Sequence, residues 1–444
     1  MTPVGTGTNT LSPSPAPGLT RNGDRRGGQP APVAAAEAEH AGDGRRRVDA
    51  VDVLRGVAMI LMALDHTRDY FGDAAADPTN LRTAGTALFL TRWVTHFCAP
   101  VFFLLTGAGA ALSPGRRTPG ERSRFLLTRG LWLVLLELTV LRTLLQFNVD
   151  YRVTILNVLW ALGWSTVALA ALSRLPVRAV VALGVGLIAS HNLADPVSPV
   201  ALGAWAPLWH VLHQPGLLLA SGGRFVLLAY PLVPWIGVTA VGFGLGHLFA
   251  RPADRRRAWL LRLGAGMIAA FVLVRALDGY GDPRPWGPQA AGASSALRVA
   301  LAFLNTTKYP PSLLFLLMTL GPALLALRWL DGRLDGRVAA GGRLPAVLRP
   351  ALVFGRVPLF YFLLHFALIH LLAVLASAAR FGAVHGMFES PTLDRYPVTQ
   401  PPGWPAPLPW IYVVWAVVVA VAYPCCRWYA ARKARDPGGW LRYL

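Results

Sequence analysis

The sequence predicts an all-α fold, a polytopic transmembrane helix bundle, on three observations. Of 444 residues 54% are hydrophobic and only 14% charged, against roughly 25% charged in soluble domains. Apolar runs of about 20 residues, the length that crosses a bilayer, recur along the chain. Arginines gather in alternate connections between those runs, as the positive-inside rule requires.

The same length rule gives about 10 spans. They lie at 51–71, 88–112, 125–146, 153–173, 177–193, 225–249, 257–277, 312–330, 356–378 and 408–429. The fifth is short, and the sixth, "YPLVPWIGVTAVGFGLG", is interrupted by Pro and Gly. Residues 205–220 are a candidate re-entrant or interfacial piece. With the N-terminal tail inside, the inner connections carry Arg116, Arg117, Arg122 and Arg124, then Arg174 and Arg178, then Arg251 and Arg255 to Arg257, then Arg328, Arg333, Arg337, Arg343 and Arg349. Arg427, Arg432, Lys433 and Arg435 follow the last span. An even number of spans puts both termini in the cytoplasm, in agreement with the charges.

Residues 1–47 are rich in Pro, Gly, Ala and Arg and hold no apolar core. They read as a disordered basic cytoplasmic tail, not a cleaved signal peptide; residues 48–444 form the transmembrane domain. The net charge of +20 does not indicate a nucleic-acid partner, because the basic residues alternate between connections and do not line one face of a soluble domain. Cys98, Cys425 and Cys426 give neither a disulfide framework nor zinc spacing. The long outer segments are 194–224, 278–311 and 379–407, the last two rich in Pro, Gly and Trp, as ordered turns over a cavity mouth would be.

With the spans oriented, polar side chains converge on the outer side. His66 and Asp69 end the first span, and Arg92 and His96 lie in the outer half of the second. Gln146, Asn148, Asn157, His191, Asn192, Asn305 and Lys308 sit at outer ends, with His370 in the outer half of the ninth span and His365 nearer its middle. Ionisable groups at membrane depth are costly and face a cavity or a partner. Asp69 follows His66 by three residues and can share its helix face; Arg68 pairs with Asp65, and Asp52 with Arg55, at the same spacing. Arg55 precedes His66 by eleven residues, about 16 Å along a helix. Glu137, mid-span, needs a partner among Arg142, Arg129 or a histidine. No metal is expected: His210 with His213, and His365 with His370, come without cysteines or a His-Glu-x-x-His pattern. The glycines of "LLTGAGAAL" (104–112) read as close helix packing.

The stretch "RRRVDAVDVLRGVAMILMALDHTRDYF" resembles the first span of bacterial membrane proteins related to heparan-alpha-glucosaminide N-acetyltransferase. "RWVTHFCAPVFFLLTG" (92–107), "LLTRGLWLVLLELT" (126–139), "NTTKYPPSLLFLLMTLGP" (305–322) and "LFYFLLHFALIHLLA" (359–373) are similar to the same family. The resemblance spans residues 46–444. It implies a multi-pass acyltransferase of the cell membrane that takes an acyl group, acetyl above all, from cytoplasmic acyl-CoA and passes it to an extracytoplasmic sugar or glycan. The "D-x-L-R-G" opening is also similar to the wider acyltransferase-3 membrane proteins, where a histidine about a dozen residues after the Arg-Gly is implicated in transfer; His66 matches it. One departure bears on the substrate. In the lysosomal enzyme the position of His66 looks like an asparagine, and its functional histidine lies in the loop after the first span. Here that loop reads "GDAAADPTNLRTAG", so the heparan acceptor is not carried over.

Acyl transfer needs a base, donors for the developing oxyanion and a place for the acyl donor. His66 is assigned as general base or acyl acceptor, oriented by Asp69, with His96 as second candidate. Lys308 and Asn305 are assigned to oxyanion or substrate contacts, joined on the substrate side by His191, Asn192 and His370. Arg55 and Arg129 are assigned to donor phosphates, with His365 along the donor path. For Lys308 a snorkelling cation at headgroup level, for Arg129 an inner-end anchor and for the two span-nine histidines a structural hydrogen bond remain open. The expected partners are the lipid bilayer and a sugar acceptor, with a homodimer admitted. The rival class is a proton-coupled transporter or flippase using the same His, Asp and Lys cluster as a relay; a sensor or scaffold explains the outer polar cluster less well.

Overall fold

The computed structural model describes residues 49–112, 118–291, 295–339 and 344–435, without side chains at 335–339 and 394. The expected tail, Arg116, Arg117 and Arg343 lie outside the described residues. The chain is a helix bundle. It starts with α1 (Asp49–Phe71), followed by α2 (Thr86–Thr95), α3 (Cys98–Leu112) and α4 (Pro119–Leu136). A single π turn, Glu137–Leu141, joins α4 to α5 (Arg142–Gln146). Then come β1 (Val153–Leu156), α6 (Val158–Leu172), α7 (Val177–Ser190), α8 (Ala206–Leu212), β2 (Gly216–Ser221) and β3 (Arg224–Leu228). The second half holds α9 (Leu232–Leu248), α10 (Ala253–Leu277), α11 (Trp286–Ala290), α12 (Ala296–Leu304), α13 (Leu313–Ala339), α14 (Arg349–Arg356), α15 (Pro358–Phe381) and α16 (Leu408–Arg435).

Among the described residues, six helices are long and apolar enough to cross a membrane: 86–112, 177–194, 253–277, 313–334, 358–381 and 408–435. Two expected spans, α6 and α9, are apolar but shorter. α1 has the length, with 23 residues, but too many ionisable groups to be met by lipid. Its neighbours shield it instead: α2, α3, α13, α14, α15 and α16 all pack on it, and most of its side chains are buried. Asp49 and Asp52 in its first turn and Arg68 in its last complement the helix dipole. Close approach is built from glycine. A Cβ on Gly56 would strike the Ala351 carbonyl, and one on Gly355 would strike the Asp52 carbonyl. Arg55 ties this crossing by donating to Asp52 at 2.6 Å and to the Gly355 carbonyl at 3.0 Å. The glycines of 104–112 divide: Gly107 lies against the backbone of α9 at Thr239 and Gly242, and Gly109 faces the Arg55 side chain.

Two expectations are corrected. The segments 153–156 and 225–228, read as the starts of helical spans, are strands. β1 pairs in parallel with β3, Val153 opposite Phe225, and β2 pairs antiparallel on its other side. A short apolar run fits strand and helix alike. The deciding signal was "SGGR": Gly222 and Gly223 both have positive φ, 57° and 71°, as a two-residue hairpin turn demands. The interfacial candidate at 205–220 consists of α8 and β2. Glu137, whose partner was sought among Arg142, Arg129 and the histidines, instead accepts backbone N–H bonds from Asn157 at 3.3 Å, Leu159 at 2.9 Å and Trp160 at 3.2 Å. It thus satisfies the first amides of α6. The π turn at Glu137–Leu141 occurs where this side chain turns inward.

Candidate active site

A cavity of about 270 Å³ opens beside the last two turns of α1. Met62, Asp65, His66, Arg68 and Asp69 line it from α1, and Arg92, Thr95, Cys98 and Phe102 from the broken α2–α3 span. Asn157 follows β1, Tyr230 follows β3, and Lys308 and Tyr309 come from the loop before α13; all four reach the same space. Phe366 of α15 and Tyr396 and Pro397 of the following loop close it. That loop is fixed to the end of α1: Ala406 N–H donates to the Phe71 carbonyl at 2.8 Å, and Trp404 Nε1 to the Tyr70 carbonyl at 2.8 Å.

Asp65 organises the charges. Its carboxylate takes both oxygens' worth of contact from Arg92 Nη1, one of them at 2.6 Å. Thr95 Oγ1 donates to it at 3.0 Å, Arg68 Nη2 lies at 3.1 Å and Lys308 Nζ at 3.8 Å. Three cations therefore surround one buried carboxylate. A pair removed from water survives only when its geometry and remaining hydrogen bonds are good, which the Thr95 hydroxyl helps supply. Arg68 makes its shortest bond to Asp69, at 2.6 Å. Its Nη1 is buried with no hydrogen-bond partner among the described residues. Among the described residues the Lys308 ammonium has a long contact to Asp65 and the Tyr309 ring, 5.2 Å away, which leaves most of its donor capacity unspent there. The Tyr309 phenol is held below its usual range: burial raises it, but Lys308, Arg92 and the hydrogen bond with Tyr230 together outweigh burial. Burial pushes the Tyr396 phenol up.

His66 does not meet Asp69, and this corrects the expected pairing. Its Nδ1 lies 2.7 Å from Nε2 of His365. His365 Nδ1 lies 3.1 Å from the Tyr361 carbonyl. A carbonyl oxygen only accepts, so His365 Nδ1 carries its proton and, in neutral His365, Nε2 is the acceptor. His66 Nδ1–H then donates to it, which leaves Nε2 as the basic nitrogen of His66. The ring is clamped by Phe366, stacked at 4.2 Å, and by the edge of Phe362. His365 thus stands behind His66 and is fully buried.

The other expected site residues fall elsewhere. His96 is buried, turns an edge to Phe315 and has no partner for either ring nitrogen among the described residues. It does not line the cavity. His370 has both ring nitrogens on backbone carbonyls, Leu144 at 3.0 Å and Met387 at 2.7 Å, and ties α15 to the loops around it. Asn192 accepts from Leu313 N–H and donates to Asp195; His191 packs near His213. Both stand in a separate cluster, away from the cavity lining. Asn305 donates to the Thr79 carbonyl and Gln289, fixing the Lys308 loop without lining the cavity. Arg55 is engaged with Asp52 and Gly355, and neither it nor Arg129 touches the cavity. Missed at the sequence level were Tyr230, Tyr309, Tyr396 and the anchoring role of Arg92. The one available signal was Tyr309, directly after Lys308 in "TKYPP".

No curated protein matches the chain. A family model described as heparan-alpha-glucosaminide N-acetyltransferase, catalytic, matches residues 47–275. The match takes in Asp65, His66, Arg92 and Tyr230 and ends before Lys308 and His365. The matched stretch is more than half of the 444 residues, and the chain belongs to the heparan-alpha-glucosaminide N-acetyltransferase catalytic family.

Proposed function

We propose that the protein is an integral membrane acyltransferase that moves an acetyl group from acyl-CoA to the amine or hydroxyl of a sugar, with His66 as general base. The observation that carries this reading is the His66–His365 pair at 2.7 Å beside a cavity that also presents Lys308. His66 Nε2 takes the proton of the acceptor amine or hydroxyl as that atom attacks the thioester carbonyl. The new bond forms, and the carbonyl oxygen becomes an oxyanion within reach of the Lys308 ammonium. Collapse breaks the carbon–sulfur bond, and the imidazolium returns the proton to the departing thiolate. His365 holds the His66 tautomer and shares the charge that His66 gains. Arg68 and Lys308 keep the cavity cationic, which suits both an oxyanion and an anionic donor.

At about 270 Å³ the cavity falls below the usual range for drug-sized ligands, so a molecule as large as CoA does not fit it whole. It suits the reacting ends of two substrates, the donor's bulk remaining outside it. In this reading donor CoA approaches from the end bearing Arg55 and Arg129, and the acceptor from the end bearing Lys308 and the 379–407 loop. The Arg-rich connections support a cytoplasmic placement of the first end and of both termini.

The test uses purified protein in liposomes with labelled acetyl-CoA and glucosamine-bearing acceptors. Acceptor-dependent release of CoA with label on the sugar is the expected result. Absence of release across several acyl-CoA donors, with proton-coupled movement of solute in its place, overturns the reading in favour of a transporter.

A further inference from the structure

Residues 193–228, between α7 and α9, are built unlike a solvated loop. No Asp, Glu, Lys or Arg occurs from Pro196 to Gly223. Large apolar side chains stand outward: Val200 is 89% exposed, and Leu193 and Trp205 are each 70% exposed. Leu208, Leu217 and Leu219 add to the same uncovered surface from α8 and β2. Soluble proteins rarely leave so much apolar surface in water. The patch continues an apolar belt at the ends of the neighbouring spans. Leu273 and Leu277 at the end of α10 are exposed, and Tyr280 just beyond them bonds to the Ala189 carbonyl of α7. Depth is limited by the backbone: β2 is an edge strand, and its unpaired amides and carbonyls exclude immersion in hydrocarbon. A tryptophan among aliphatic residues at that depth is the usual mark of the headgroup boundary.

The segment is also joined to the cavity. β1 leads directly into Asn157, and β3 leads within two residues into Tyr230, both on the cavity wall. On its other side His213 Nε2 lies 3.0 Å from Asp195, Asp195 accepts from Asn192, and Asn192 accepts from Leu313 N–H, where the Lys308 loop enters α13. The platform therefore borders the cavity on the walls that carry Tyr230 and Lys308.

We infer that residues 193–228 dock in the lipid headgroup layer, and that the acceptor is an amphiphile of that leaflet, a sugar carried on a lipid that enters the cavity sideways over α8 and the β2–β3 hairpin. The acceptor half of this inference rests on the acyltransferase reading. The docking half does not.

Two measurements on the full chain in vesicles test it. In the first, bimane is attached to the thiol introduced by Trp205→Cys on a Cys425→Ser background, in vesicles containing lipids brominated near the top of the acyl chain. Quenching by bromolipid with protection from aqueous iodide is expected; quenching by iodide alone overturns the docking. In the second, labelled acetyl-CoA is supplied with glucosamine either free or linked to a dialkylglycerol. The lipid-linked sugar is expected to react with a kcat/KM at least tenfold higher, and Val200→Asp with Leu208→Asp to abolish that advantage while leaving the free sugar's rate unchanged. Equal use of both sugars overturns the lipid-borne acceptor and leaves the acyltransferase reading standing. Transfer to neither overturns the acyltransferase reading and the acceptor with it, while the bimane result still decides the docking.

Discussion

A buried carboxylate is tolerable only while its partners stay in place, and Asp65 shows how much here depends on one side chain. It is 7% exposed and holds Arg92, Arg68, Lys308 and Thr95 around the cavity. Asp65→Asn leaves the largely enclosed Arg92 side chain, 13% exposed, without its counter-charge, a change that costs about 3 kcal/mol. Thermal unfolding in detergent should show a clearly lowered midpoint; an unchanged midpoint would mean water already compensates Arg92. The cluster "DHTRD" was legible from spacing alone, because Asp65–Arg68 is an i,i+3 pair on one helix. The partner of His66 was not. His365 lies 299 positions away, and no local pattern encodes a contact between helices so distant in sequence. Asp69, three residues on, could share the helix face of His66, but the adjacent Arg68 takes it instead.

At the scale of elements, the spans that carry polar groups are broken where the site needs them. α2 and α3 part at His96 and Phe97, so that Arg92 and Thr95 on one side and Cys98 on the other face the same space. The π turn at Glu137 brings a carboxylate to the N-terminal amides of α6, next to Asn157. Glu137→Ala leaves those amides unpaired in the protein interior, at a cost of about 2 kcal/mol. A lowered unfolding midpoint is expected, with Glu137→Gln falling between wild type and Glu137→Ala. Equal stability of all three would assign the α6 amides another acceptor. Most helices were visible as apolar runs, since length and composition decide them. The three-stranded sheet was not, because four- to six-residue apolar strands have no period that separates them from a helix start.

For the whole molecule, the family match and the six apolar helices establish a membrane protein of the N-acetyltransferase catalytic family. The orientation proposed for it rests on the arginines. An impermeant maleimide added to intact cells should label Thr392→Cys, in the loop that covers the cavity, and spare Arg178→Cys, at the other end of α7, both on a Cys425→Ser background. The reverse pattern would turn the cavity to the cytoplasm and put donor and acceptor on the opposite sides. The ionisable first helix makes sense only at this scale. α1 is central, enclosed by six other helices, so its charges meet protein groups and the cavity where another span would meet lipid.

The most direct measurement is a double-mutant cycle on acyl transfer in proteoliposomes, comparing His66→Ala, His365→Ala and the double variant with wild type. General-base catalysis by a positioned histidine is worth about 10² to 10⁴ in rate, and residues that act as a unit are strongly non-additive. The account predicts a loss of that size for His66→Ala, a smaller loss in kcat with little change in KM for His365→Ala, and a double variant no slower than His66→Ala. Transfer that survives His66→Ala, or losses that simply multiply, would contradict it.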